Sequence, residues 1–129
     1  MKSGQVILIA DQDLSVRKGI GRLLRASGYD VALKKSLNDL LSADCLSDAG
    51  CIILDAQLAA SSSPEFQQLT RQTARTPLII ISADDAADMR TQAAQLGASG
   101  CFRKPVDGVA LIDAIQWAIH AASITPRPI

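Results

Sequence analysis

The chain has 129 residues, enough to bury one compact core and too few for two, so a single domain is expected. Thirteen basic and thirteen acidic side chains cancel to a formal net charge of zero, which argues against a nucleic-acid or membrane surface built on overall charge. Three cysteines (Cys45, Cys51, Cys101) without a Cys-x-x-Cys pair argue against a disulfide framework or a zinc site. They read as small buried hydrophobes, and with no apolar run of membrane length and no signal-peptide core at the N-terminus the chain is expected in the cytoplasm.

In chain order, Gln5–Ala10 is a continuous Val/Ile/Leu strand that stops on Asp11, Gln12 and Asp13. A helix over Leu14–Ser27 follows, with Val16, Ile20, Leu23 and Leu24 on one face and Arg17, Lys18, Arg22 and Arg25 on the others, and Gly28 stops it. Asp30–Lys34 is a shorter, more polar strand and so belongs at a sheet edge. Ser36, with Asp39 three residues on, caps a helix through about Leu46. Cys51–Leu54 is the third strand and ends on Asp55. Ala56–Ser63 reads as a loop, and Pro64 opens a helix to about Ala74. Leu78–Ile81 is the fourth strand and ends on Ser82; Asp84 or Asp85 caps an Ala-rich helix that Gly97 terminates. Cys101–Arg103 is the fifth strand, ending on Lys104 and Pro105, and a last helix runs from Asp107 or Gly108 to about Ala122. Residues 123–129, with Pro126 and Pro128, read as a linker or C-terminal tail, leaving 1–122 as the domain proper; a linker would leave room for an output domain beyond.

Strict alternation of strand and helix implies an α/β fold, a doubly wound parallel sheet with helices on both faces, because parallel neighbours need crossovers. In such sheets the carboxyl ends of the strands converge on one crevice. Four of the five strands finish on Asp11, Asp55, Ser82 and Lys104. Each alone could be an ordinary loop residue. Together they are acids for a divalent cation, a hydroxyl and an ammonium for phosphoryl oxygens, and one carboxylate free to be a nucleophile.

The stretches IADQDLSVRK, CIILDAQL, PLIIISAD and LGASGCFRKP resemble, in order and over nearly the whole chain, the receiver domain of two-component response regulators, nearest to the nitrogen-fixation regulator type. The resemblance implies a CheY-like, flavodoxin-like three-layer (βα)5 sandwich of strand order 2-1-3-4-5. It implies Asp55 as phosphoacceptor, Ser82 and Lys104 as phosphate contacts, and Mg²⁺ held by Asp11, Asp55 and the Gln57 backbone carbonyl. Gln57 and Asp84 fall where the family tunes loss of the phosphoryl group, and the Lys104–Pro105 bond is usually cis. Implied partners are a histidine kinase or phosphotransfer protein and a second copy meeting through the fourth helix, fifth strand and fifth helix. The domain would signal as an acceptor rather than act as an enzyme.

The chain departs from the pattern in places. Gln12 stands on the second of two acids that the family usually carries, leaving Gln12 or Asp13 to complete the metal pocket, and Asp13 also suits a helix cap. Cys101 occupies the switch position where Tyr or Phe is common. The loop after Asp55 has Ala59 where Pro is common and Ser63 where Gly is common. Two rival readings follow: a pseudo-receiver that only docks partners, and a phosphatase resembling the haloacid dehalogenases with Asp11 as nucleophile and Asp13, Ser82 and Lys104 in support. On the last helix, Leu111, Ile112, Ile115, Ala118, Ile119 and Ala122 form an apolar stripe for the sheet, leaving Trp117 on the opposite side as an interface candidate.

Overall fold

The computed structural model of the protein describes residues 6–59, 63–83 and 86–124. Five strands, β1 (Val6–Ala10), β2 (Asp30–Lys34), β3 (Ala49–Asp55), β4 (Leu78–Ser82) and β5 (Gly100–Arg103), alternate with five helices, α1 (Leu14–Ala26), α2 (Leu37–Leu41), α3 (Pro64–Gln72), α4 (Ala86–Gln95) and α5 (Gly108–Ile124). The strands form one sheet in the order 2-1-3-4-5, parallel throughout. β2 lies at an edge, and its half-exposed pattern follows from having one neighbour; the three central strands are the unbroken apolar runs that burial on both faces requires.

Alternation along the strands builds two cores. Leu8, Ala10, Ile52, Leu54 and Ile80 meet Leu37 and Leu40 of α2, Phe66 and Leu69 of α3, and Met89 and Ala93 of α4. On the other face Ile7, Ile9, Ile53, Ile79 and Ile81 meet Ile20 and Leu24 of α1 and Leu111 and Ile115 of α5. Each fully buried Ile or Leu contributes about 1.5–3 kcal/mol of transfer free energy, so the sheet is the rigid part that everything at its rim depends on.

The helix ends carry their expected signals. Asp13 caps α1 by accepting from the Ser15 and Val16 amides, Ser36 caps α2 through the Asp39 amide, and Ser63 caps α3 through that of Phe66. Gly28 and Gly97, with φ of +95° and +79°, turn the chain out of α1 and α4 in a conformation that costs any other residue strain.

Several boundaries differ from expectation. α2 closes at Leu41 rather than near Leu46: Ser42 and Asp44 favour turns, and Leu46 reaches the core from a short 3-10 turn instead. α3 ends at Gln72, two residues early, because the buried Thr73 hydroxyl donates back to the Leu69 carbonyl at 2.6 Å and the Thr76 amide then closes a turn on Thr73. β3 begins at Ala49, where it pairs with Val6 across a bulge. α5 continues through Ser123 to Ile124. Its 17 residues span about 25 Å against about 17 Å for a five-residue strand, so its last turn overhangs the sheet and Ala122 is exposed instead of completing the buried stripe. Asp84 and Asp85, one of which is expected to cap α4, residues 60–62 of the loop and residues 125–129 of the tail lie outside the described residues.

Candidate functional site

Strand register brings the polar strand ends to one level. Ala10 pairs with Leu54, so Asp11 and Asp55 emerge side by side; Asp55 pairs with Ile81, and Ser82 with Arg103, so Ser82 and Lys104 follow directly alongside. The Lys104 amide donates to the Ser82 carbonyl at 2.7 Å, fastening the loop after β5 to the end of β4. The Lys104–Pro105 bond is cis. Asp11, Asp55 and Ser82 are all buried.

One ammonium serves both carboxylates. Lys104 Nζ lies 2.7 Å from Asp11 Oδ2 and 3.6 Å from Asp55 Oδ1, with the lysine side chain only 18% exposed. Burial raises the Asp55 carboxyl above its usual range and the Asp11 charge pushes the same way, while the Gln57 amide and Lys104 pull it back. For Lys104 burial acts downward, but the hydrogen bond to Asp11 and the charges of Asp55 and Asp11 outweigh it and hold the ammonium above its ordinary value. Gln57 sits in the 3-10 turn Ala56–Leu58 and donates its amide to Asp55 Oδ1 at 3.4 Å.

Two carboxylates against one ammonium leave an excess of negative charge in a buried place, where Asp11 Oδ2 has the Lys104 ammonium 2.7 Å away. Hard oxygen donors with surplus charge fit a divalent cation such as Mg²⁺. Among the described residues no three His, Cys, Asp or Glu side chains cluster, so water and amide or carbonyl oxygens would complete the shell.

Asp13 is drawn elsewhere. Its Oδ1 accepts from the Ser15 amide at 2.8 Å, and its own amide donates to Asp11 Oδ1 at 2.8 Å. The Asp-x-Asp pair that resembled a dehalogenase motif is thus divided between a site carboxylate and a helix cap. Gln12 is exposed at the rim. Cys101 is half-buried and packs toward the α2–α3–α4 core, whereas Phe102 joins the opposite one. Trp117 is 70% exposed on α5. Asp84 lies outside the described residues. Arg17 escaped the reading of the sequence: its Nη1 donates to the Asp11 carbonyl at 2.6 Å and the Gln12 carbonyl at 3.2 Å. Its place on a basic helix face looked like a solvated charge, and only the return of the side chain over the helix start reveals the contact.

The family model of the response regulator receiver domain matches residues 7–116. The transcriptional regulatory protein TdiR of Thauera aromatica is 31% identical over 118 residues, covering 91% of this chain and 52% of that protein. The transcriptional regulatory protein FixJ of Azorhizobium caulinodans is 29% identical over 112 residues, 86% of this chain and 53% of its own length. The chain thus spans about half the length of these curated relatives. A receiver domain from Clostridium thermocellum superposes with a TM-score of 0.79 at 23% identity, over 93% of this chain and 98% of that one.

Proposed function

The chain belongs to the response regulator receiver domain family, the receiving component of two-component signalling, and we propose that Asp55 is its phosphoacceptor. The carrying observation is the pair of buried carboxylates, Asp11 and Asp55, gathered on the Lys104 ammonium at the carboxyl edge of the sheet. An Asp55 oxygen attacks the phosphorus of a phosphohistidine on a histidine kinase or phosphotransfer protein; the O–P bond forms as the P–N bond breaks, giving an acyl phosphate and free imidazole. Lys104 neutralises charge on the transferring oxygens, the main service a protein can offer so loose a transition state. Ser82, on the neighbouring strand end, is the hydroxyl that contacts the attached phosphoryl group.

Asp11, Asp55, the Gln57 carbonyl and the Gln12 side-chain amide are the groups that would hold Mg²⁺, with Asp13 committed to its cap. The bound ion supplies charge neutralisation at the phosphoryl oxygens. Gln57 and Asp84 are assigned to tuning hydrolysis of the acyl phosphate. The mostly apolar groove beside Lys104, about 220 Å³ between α1 and the start of α5, supports docking of the donor there.

The output belongs to a surface made of α4, β5 and α5, with Cys101 at the switch position and exposed Trp117 as anchor of a homodimer or of contact with a C-terminal output domain. The relatives' greater length and regulatory names support such a domain. We assign the protein to the cytoplasm; no helix among the described residues is long and apolar enough to cross a membrane.

Labelling with radioactive acetyl phosphate and Mg²⁺ tests the assignment. A base-labile, acid-stable label on the parent that is lost in Asp55→Asn, while the fold survives, is the expected result. Label retained in the Asn variant overturns Asp55 as acceptor. No label on the parent supports the second reading, a docking module without phosphorylation, which Gln12 and Cys101 favour.

A further inference from the structure

We propose that Arg17 is a positioning residue for the acidic loop, fixing the Asp11 carboxylate in the site and thereby setting the affinity for a divalent cation; the cation part rests on the receiver reading above. The connection from the end of β1 to the Asp13 cap consists of Asp11 and Gln12 alone. Arg17 takes the carbonyl of each on one nitrogen, at 2.6 Å and 3.2 Å. Hydrogen bonds from a charged donor are shorter and roughly twice as strong as neutral ones. The Asp11 amide meanwhile donates to the Lys34 carbonyl at 3.1 Å, so the Asp11 backbone is pinned on both sides. Its Oδ1 accepts from the Asp13 amide and its Oδ2 meets Lys104. Moving the backbone would break both side-chain contacts together.

The surroundings hold Arg17 to this task. It lines an open cavity of about 390 Å³ with Lys34, Lys35 and Asp39, and of the polar groups near it the guanidinium takes the Asp11 and Gln12 carbonyls. The dependence is sharpened by Gln12. With a neutral amide in the second acid's place and Asp13 occupied as a cap, Asp11 is the loop's one carboxylate directed at Lys104, so its orientation governs what the loop offers a cation.

Positioning and simple electrostatics predict opposite signs. A cation near an acidic pocket weakens binding of a second cation by repulsion, so removing Arg17 should tighten Mg²⁺ if charge were all it contributed. As a positioning residue its loss weakens binding. Calorimetric Mg²⁺ titration of the parent, Arg17→Ala and Arg17→Lys separates the two, alongside hydrogen exchange at the Asp13 amide.

Arg17→Ala is expected to weaken Mg²⁺ by about tenfold to a hundredfold, the usual range for groups that orient a metal's ligands, and to speed Asp13 exchange about tenfold, with melting within a few degrees of the parent. Arg17→Lys, which keeps the charge on a shorter side chain that does not reach both carbonyls as Nη1 does, should fall between parent and Ala variant and carries the comparison if the latter unfolds. Unchanged or tighter Mg²⁺ in Arg17→Ala, a Lys variant equal to the parent, or unchanged Asp13 exchange overturns the proposal. Should the parent bind no Mg²⁺ and accept no label, the receiver chemistry fails, and Asp13 exchange alone decides whether Arg17 positions the loop.

Discussion

Lys104→Met keeps roughly the length of the side chain and removes its charge, leaving Asp11 and Asp55 buried together without the cation they share. At an effective dielectric of about 20 the attractions lost are about 6 kcal/mol at 2.7 Å and about 5 kcal/mol at 3.6 Å. Against that, the variant no longer desolvates an ammonium, which recovers several kcal/mol, and one carboxylate can relieve the repulsion by taking up a proton. The net expectation is a loss of about 3–5 kcal/mol at neutral pH, a fall in Tm of about 10–15 °C for a domain of this size. The pH dependence gives the sharper test. Asp55 is already raised by burial and by Asp11, and in the variant the downward pull of Lys104 is gone. A carboxyl raised on folding contributes stability fully present below its unfolded pKa and lost as pH rises through its folded value. The deficit of the variant should therefore be greatest near neutrality and shrink as pH falls through the raised Asp55 value. Thermal unfolding of both proteins across acid to neutral pH, with and without Mg²⁺, measures this, and Mg²⁺ should narrow the gap. Equal stability at neutral pH, or a deficit that does not change on acidification, would refute the pairing of both acids with one ammonium.

Gln12→Asp restores a second charge to the rim and should tighten Mg²⁺ by about 1–3 kcal/mol on the scale of charged hydrogen bonds, read by calorimetric titration. Asp13→Ala should cost about 1 kcal/mol of stability in denaturant unfolding through the lost cap of α1, and an equal or larger loss of Mg²⁺ affinity than of stability would make Asp13 a ligand instead. Trp117→Ala, at a side chain already 70% exposed, should leave Tm nearly unchanged while weakening self-association by about 2 kcal/mol or more in sedimentation with phosphodonor present. An unaltered monomer–dimer balance would remove Trp117 from the interface.

Features governed by local chemistry were legible in the chain itself. Apolar runs, capping residues and terminating glycines fixed the alternation of elements, and the polar residues closing four strands marked the rim where Asp11, Asp55, Ser82 and Lys104 meet. What escaped depended on competition across space. The early end of α2 is set by turn-forming Ser42 and Asp44 against a core that Leu46 satisfies from outside the helix, and the exposure of Ala122 by the mismatch of helix and strand lengths. Asp13 could be a cap or a ligand on spacing alone; three-dimensional geometry shows the cap, made through its Oδ1. Arg17 had no signal in periodicity, because a charged residue off the apolar stripe looks the same whether it faces water or two carbonyls.

The pairing of Asp11 with Lys104 joins the end of the first strand to the end of the last. During synthesis both acids leave the ribosome before the lysine does, and a chain halted before β5 holds both carboxylates without the ammonium that serves them. On the reading proposed above, competence to receive phosphate would be completed only with the final strand, and a fragment ending between Ser82 and Lys104 would lack the ammonium that the two acids share.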